Sequence, residues 1–144
     1  MKRRVLFLCT GNSARSQLAE ALLRKYAGEF FEVASAGTAP EGIDKRTLMV
    51  LRKNELPTEG LRSKPLSEFR GQHFDFVITL CDKAHTECAN FPNAGEVIAW
   101  DFADPKPKEG LAPFEITLRE LSARIKAFAL VQGTGRRQES RRML

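Results

Sequence analysis

Long hydrophobic runs are missing from this chain. No apolar stretch approaches the ~20 residues that a membrane span needs, which excludes a spanning helix. The basic start MKRR is followed by an apolar run of only Val5 to Leu8 plus Cys9, too short for the h-region of a signal peptide. The sequence therefore reads as a soluble chain opening on a buried strand. Cysteine is scarce as well. Cys9, Cys81 and Cys88 make an odd count without a dense framework, unlike the paired cysteines of stapled secreted domains. Reduced thiols in the cytoplasm are the expectation, with any disulfide transient and chemical. No internal repeat, low-complexity segment or second domain is evident.

A basic face interleaved with aromatics is also lacking. Net charge is +5, but the terminal run TGRRQESRRML holds four Arg and one Glu, so +3 of it lies there and the body carries only +2. Nucleic-acid binders more often carry their charge on a folded element. We expect a single domain over residues 1–132 and a basic, disordered tail over 133–144, with no nucleic-acid or membrane partner and a monomeric state. At 144 residues the chain is long enough to bury roughly 68–70% of its unfolded surface without staples.

What is present is an alternation of strands and helices. Val5 to Leu8 is a continuous apolar run, as in a parallel strand covered on both faces. From Ser16 onward Leu18, Ala19, Leu22, Leu23 and Tyr26 recur at helical spacing, and Gly28 supplies a stop. FFEVASAG from Phe30 reads as a second strand and DKRTLMVLRKNEL, begun by Asp44, as a second helix. FDFVITLC is a third strand ending on Cys81, and EVIAWDF a fourth leading into ADPKP. The last helix carries Phe114, Leu118, Leu121, Ile125 and Phe128 on one face. This order predicts an α/β domain on a parallel sheet with right-handed crossovers. Ligands of such sheets sit beyond the carboxyl ends of the strands, where Cys9 and Cys81 fall and Asp104 follows closely.

The stretch CTGNSARS stands between the first strand and the first helix. Gly11 and Asn12 tolerate positive φ, and small residues let successive amides point inward as a nest. A helix N-terminus adds free donors and partial positive charge, and Arg15 offers a bidentate fork to a tetrahedral oxyanion. Thr10, Gly11, Asn12, Ser13, Ala14, Arg15 and Ser16 form the expected oxyanion loop. In that field the Cys9 thiolate is favoured, with Ser13 and Ser16 as hydrogen-bond donors to its sulfur. Asp104, held extended by Pro105, is a candidate general acid.

CTGNSARSQLAEALL, together with SAGT near Ser35, FVITLC and the Asp104-Pro105 pair, resembles the low-molecular-weight protein tyrosine phosphatase superfamily, which includes the thioredoxin-coupled arsenate reductases. The likeness runs over roughly residues 4 to 130. It implies a four-stranded parallel sheet flanked by helices, Cys9 as nucleophile, Arg15 as oxyanion binder and Asp104 as the acid that protonates the leaving oxygen.

Within that superfamily the resemblance to the reductases implies a relay in which Cys81 attacks Cys9 and Cys88 attacks Cys81, with thioredoxin as the external reductant and no tightly bound cofactor. Another low-molecular-weight thiol or glutaredoxin remains open as reductant. The phosphatases typically carry tyrosines after the DP pair, whereas DPKPKEG offers Lys106, Pro107 and Lys108, which favours arsenate or a phosphate-like oxyanion over a phosphotyrosine peptide. Some relatives have a further cysteine where this chain has Ala14. Others hold potassium through Asn12, Glu20, Ser35 and an aspartate. Lys64 and Pro65 stand about where that aspartate would be, and Lys64 could replace the ion's charge. Two alternatives stay open: phosphomonoester hydrolysis through a Cys9 phosphocysteine, and a zinc or arsenite sensor in which His85 joins Cys81 and Cys88.

Overall fold

The computed structural model describes residues 2–88 and 91–134. Strand β1 (Arg3–Cys9) leads into helix α1 (Arg15–Ala27), then β2 (Phe31–Gly37), α2 (Lys45–Lys53), β3 (Phe74–Thr79), α3 (Asp82–Cys88), β4 (Ala94–Ala99) and α4 (Ala112–Ala129). A 3-10 turn covers Leu66–Phe69, and a π-helical turn, Leu130–Thr134, extends α4. All pairings are parallel, in the order β2-β1-β3-β4. The basic tail lies outside the described residues from position 135 on. Among the described residues no helix is long and apolar enough to cross a membrane.

β1 is central, and its alternation explains its unbroken apolar run. Val5, Phe7 and Cys9 belong to a large core with α1, α2 and α4, while Leu6 and Leu8 belong to a smaller one with Phe74, Val77, Ala84 and Cys88. Side chains at i and i+2 share a face, so both layers draw on one strand. The large core holds a ring cluster in which Phe128 meets Phe31, Phe76 and Trp100 at centroid distances of 5.6, 5.2 and 5.8 Å. Each such buried side chain contributes about 1.5–3 kcal/mol.

Phe114, Leu118, Leu121, Ile125 and Phe128 are all buried, as the helical spacing predicts. Tyr26 is not: it is 42% exposed, with its hydroxyl on Ser122 and the Lys126 ammonium over its ring. α1 instead buries Ser16, Gln17 and Glu20, which belong to the site described below.

β4 begins and ends earlier than the 96–102 expected. It is an edge strand with Glu96 exposed, so it shows no clear apolar run. Trp100 and Phe102 lie beyond it but still donate their amides to Thr79 O and Leu80 O. β3 likewise stops at Thr79, and Cys81 immediately precedes α3. The carboxyl edge of the sheet thus carries Cys9, Cys81 and the run to Asp104 together.

Candidate active site

The loop between β1 and α1 gets its shape from its carbonyl groups. Cys9 O accepts from Thr38 N (3.2 Å), Thr10 O from Ala39 N (2.9 Å) and Gly11 O from Glu41 N (2.9 Å). Asn12 O accepts from Gln17 Nε2 (3.1 Å), Ser13 O from Asp44 N and Thr47 Oγ1, and Ala14 O from Leu18 N. All six are held by the segment 38–47 and by α1. The peptides are trans, and a trans peptide directs its N–H opposite to its C=O. Fixing the carbonyls outward therefore turns the amides of Thr10 through Arg15 toward the concave side. Two residues permit the curl: Asn12 takes φ +46°, and a Cβ on Gly37 would stand 2.5 Å from Thr10 O.

α1 adds to this cradle. Ala14 precedes it without a side-chain cap, and its first turn holds no acid, so its leading N–H donors are left for a ligand. Arg15 crosses the floor, donating to Phe102 O at 2.8 Å with its other nitrogen 3.7 Å from Asp104 Oδ2. Asp104 Oδ1 accepts from Lys106 N, which orients the carboxyl. Cys9, Thr10, Gly11, Ser13, Ala14, Arg15, Glu41, Asp104 and Lys106 line a pocket of about 170 Å³.

Behind the pocket a buried network reaches the sulfur. The backbone N–H of Lys64 donates to Asn12 Oδ1, and since that nitrogen can only donate, the amide orientation of Asn12 is fixed. Its Nδ2 therefore donates to Ser16 Oγ (2.7 Å) and Ser35 Oγ (3.0 Å). The Ser35 hydroxyl donates a hydrogen bond to Glu20 Oε1, and Ser16 Oγ lies 2.9 Å from Cys9 Sγ. With the sulfur ionised, the Ser16 hydroxyl has Cys9 as its acceptor. Ser13, the other expected donor, has no such contact with sulfur in the structure.

The residues expected to hold potassium do not fit a cation. Glu20 already meets Lys64 Nζ at 3.6 Å and Arg24 at 2.8 Å, Ser35 Oγ accepts from Asn12 Nδ2, and Asn12 Oδ1 accepts from Gln17 and Lys64. Lys64 is buried to 6% exposure. Burial pushes its ammonium below the ordinary lysine range, and the Glu20 carboxylate opposes that shift.

The other two cysteines sit on different levels. Cys81 packs against both cores, with its sulfur 3.5 Å from Thr10 Oγ1 of the loop and accepting from Ala84 N. Cys88 is buried in the smaller core, on the sheet face opposite Cys9. Burial first, then the charges of Glu87 and Cys81, push its thiol up. His85 turns its ring to Thr79 Oγ1. Among the described residues no group of three or more His, Cys, Asp or Glu is placed to hold a metal.

Sequence reasoning missed the segment 38–47. It carries the loop carbonyls, and its Arg46 donates to Lys106 O and Lys108 O, pairs with Asp44 and stacks on Phe114, tying the stretch after Asp104 to the start of α2. That hydrogen bond from Arg46 holds the Asp44 carboxyl below its usual range.

Fold and pocket together define a cysteine-and-arginine oxyanion enzyme framework on a four-stranded parallel sheet. The model of the low molecular weight phosphotyrosine protein phosphatase family matches residues 4–138, and the chain belongs to that family. It is similar to the arsenate reductase of Halalkalibacterium halodurans, 35% identical over 133 residues that cover 89% of this chain and 96% of that one. Among solved structures it resembles the thioredoxin-dependent arsenate reductase of Corynebacterium glutamicum (29% identity, TM-score 0.71, 88% of this chain and 60% of that one). It also resembles the YwlE arginine phosphatase of Geobacillus stearothermophilus (25% identity, TM-score 0.79, 94% and 96%).

Proposed function

We propose that this protein is an arsenate reductase that passes oxidation from arsenic to Cys9, Cys81 and Cys88 in turn and is reset by thioredoxin. The observation that carries the reading is the position of Cys81, whose sulfur stands 3.5 Å from Thr10 Oγ1 at the pocket wall and which packs against the core that buries Cys88. A hydrolase has no evident use for that arrangement.

The Cys9 thiolate attacks arsenic, forming a sulfur–arsenic bond while an arsenic–oxygen bond breaks. Asp104 gives the departing oxygen its proton, so it leaves as water. Arg15 and the inward amides hold the remaining oxygens. Cys81, as thiolate, then attacks Cys9 Sγ. A disulfide forms, the sulfur–arsenic bonding pair passes to arsenic, and arsenite departs. Cys88, after losing its proton, attacks Cys81 and releases the Cys9 thiolate, and the dithiol of thioredoxin reduces the resulting Cys81–Cys88 bond.

Geometry sets one demand on this sequence. Seven helical steps at 1.5 Å each put Cys81 and Cys88 roughly 10 Å apart along the axis, whereas a disulfide needs Cα atoms about 4.4–6.8 Å apart. α3 must unwind by at least a turn for the second exchange. Lys64 supplies the positive charge behind the loop, so the reading includes no bound potassium.

The test is arsenate-dependent NADPH oxidation coupled through thioredoxin reductase and thioredoxin. Sustained turnover is expected. Efficient hydrolysis of p-nitrophenyl phosphate, unaffected by Cys81→Ser and Cys88→Ser and without arsenate turnover, would indicate a phosphatase instead.

A further inference from the structure

Two oppositely charged side chains meet at the mouth of the pocket. Glu41 comes from the segment after β2. Its N–H holds Gly11 O, and its carboxyl carbon lies over the loop, 3.3 Å from where a Cβ on Gly11 would stand. Lys106 comes from the other wall, two residues past Asp104, with its amide on Asp104 Oδ1. Its Nζ meets Glu41 Oε2 at 2.5 Å, and both residues line the pocket. The ion pair thus joins the loop side of the opening to the acid side. We propose that the Glu41–Lys106 pair is a clasp that restricts the pocket to small inorganic oxyanions, with Lys106 as a specificity-determining residue.

The inference deepens the reading of the site as an oxyanion pocket and rests on it. A free oxyanion needs only the floor, where the amides and Arg15 lie. An aryl ester must also carry its ring out through the mouth, where the two side chains meet, and must part them to do so. The charges explain why a carboxylate is tolerated beside an anion site: Lys106 neutralises it, and this partner also holds the Glu41 carboxyl below its usual range. Arg46 fixes the backbone of Lys106 from behind, so the lysine reaches Glu41 from an anchored loop.

The double variant Glu41→Ala/Lys106→Ala removes one charge of each sign. Net charge is therefore constant, and a change in selectivity reports shape. Both side chains are partly exposed and outside the core, and the thermal midpoint checks the fold. The probes are inorganic phosphate and phenylphosphonate, which cannot be hydrolysed, each measured by the protection it gives Cys9 against iodoacetate. Opening an exposed ion pair accounts for up to about fivefold. We expect the ratio of phenylphosphonate to phosphate affinity to rise more than twofold, up to about fivefold, in the double variant. A ratio within twofold of the parent's overturns the clasp. The readout needs neither arsenate turnover nor thioredoxin. Failure of the parent to reduce arsenate would overturn the reductase reading and leave this comparison intact.

Discussion

The hydroxyl of Ser16 lies 2.9 Å from Cys9 Sγ, and Asn12, its amide orientation fixed by Lys64 N, occupies that hydroxyl as a donor. An ionised sulfur, which can only accept, would take the Ser16 proton in a hydrogen bond. A hydrogen bond to a charged group is worth about 1.5–3 kcal/mol. Ser16→Ala is expected to slow alkylation of Cys9 by iodoacetamide at pH 7 by about tenfold or more, and an unchanged rate would remove Ser16 from the account.

Lys64 Nζ stands 3.6 Å from Glu20 Oε1 and brings positive charge to the buried network. Exchanging potassium for sodium at constant ionic strength should leave arsenate reduction unchanged. Lys64→Met should destabilise the fold by about 2 kcal/mol, less than the about 3–5 kcal/mol of a fully orphaned buried charge, because Arg24 still holds Glu20 at 2.8 Å. Denaturant titration measures the loss, and a potassium-dependent gain in the parent would contradict the assignment.

Arg46 acts through the backbone it holds. Its guanidinium donates to Lys106 O at 3.0 Å and Lys108 O at 2.6 Å, so Arg46→Ala should free the stretch that positions Asp104. The expected loss is about tenfold to a hundredfold in kcat, with KM little altered. Added guanidinium should recover part of it, and a defect confined to KM would argue for a different role.

Cys88 gives a pH test. Its thiol is pushed above the ordinary cysteine range, chiefly by burial, so the folded state keeps a proton that the unfolded chain releases. The stabilisation is fully present below about pH 9 and is lost as pH rises through the higher folded value. The parent's thermal midpoint should fall above pH 9 more steeply than that of Cys88→Ser. Parallel curves would contradict the burial of this thiol. By the same argument Cys88 in the reduced protein should alkylate more slowly than Cys81 at pH 8.

Much of this was legible in the residues themselves. The burial of β1 on both faces was visible in Val5 to Leu8, the α4 face in Phe114 to Phe128, and the loop in the spacing from Cys9 to Arg15. β4 was misplaced because an edge strand with Gly95 and exposed Glu96 shows no apolar run, while Trp100 and Phe102 look like strand and only follow it. The role of residues 38–47 was invisible for a different reason: Thr38, Ala39, Glu41 and Asp44 act mainly through backbone N–H groups, which every residue but proline has. Glu41 and Lys106 lie 65 positions apart, so no local pattern joins them. Lys64 was readable only against the expected aspartate, and its pairing with Glu20 needed the fold.

The central claim is that three sulfurs act in order, and one measurement reaches it directly. Cys88→Ser should complete the first exchange but not the second. Mixed with arsenate, it is predicted to release one equivalent of arsenite and to stop with a Cys9–Cys81 disulfide, identified by mass spectrometry of the acid-quenched peptide digest. Sustained thioredoxin-coupled turnover by this variant, or arsenite release with no bond between those two cysteines, would contradict the relay.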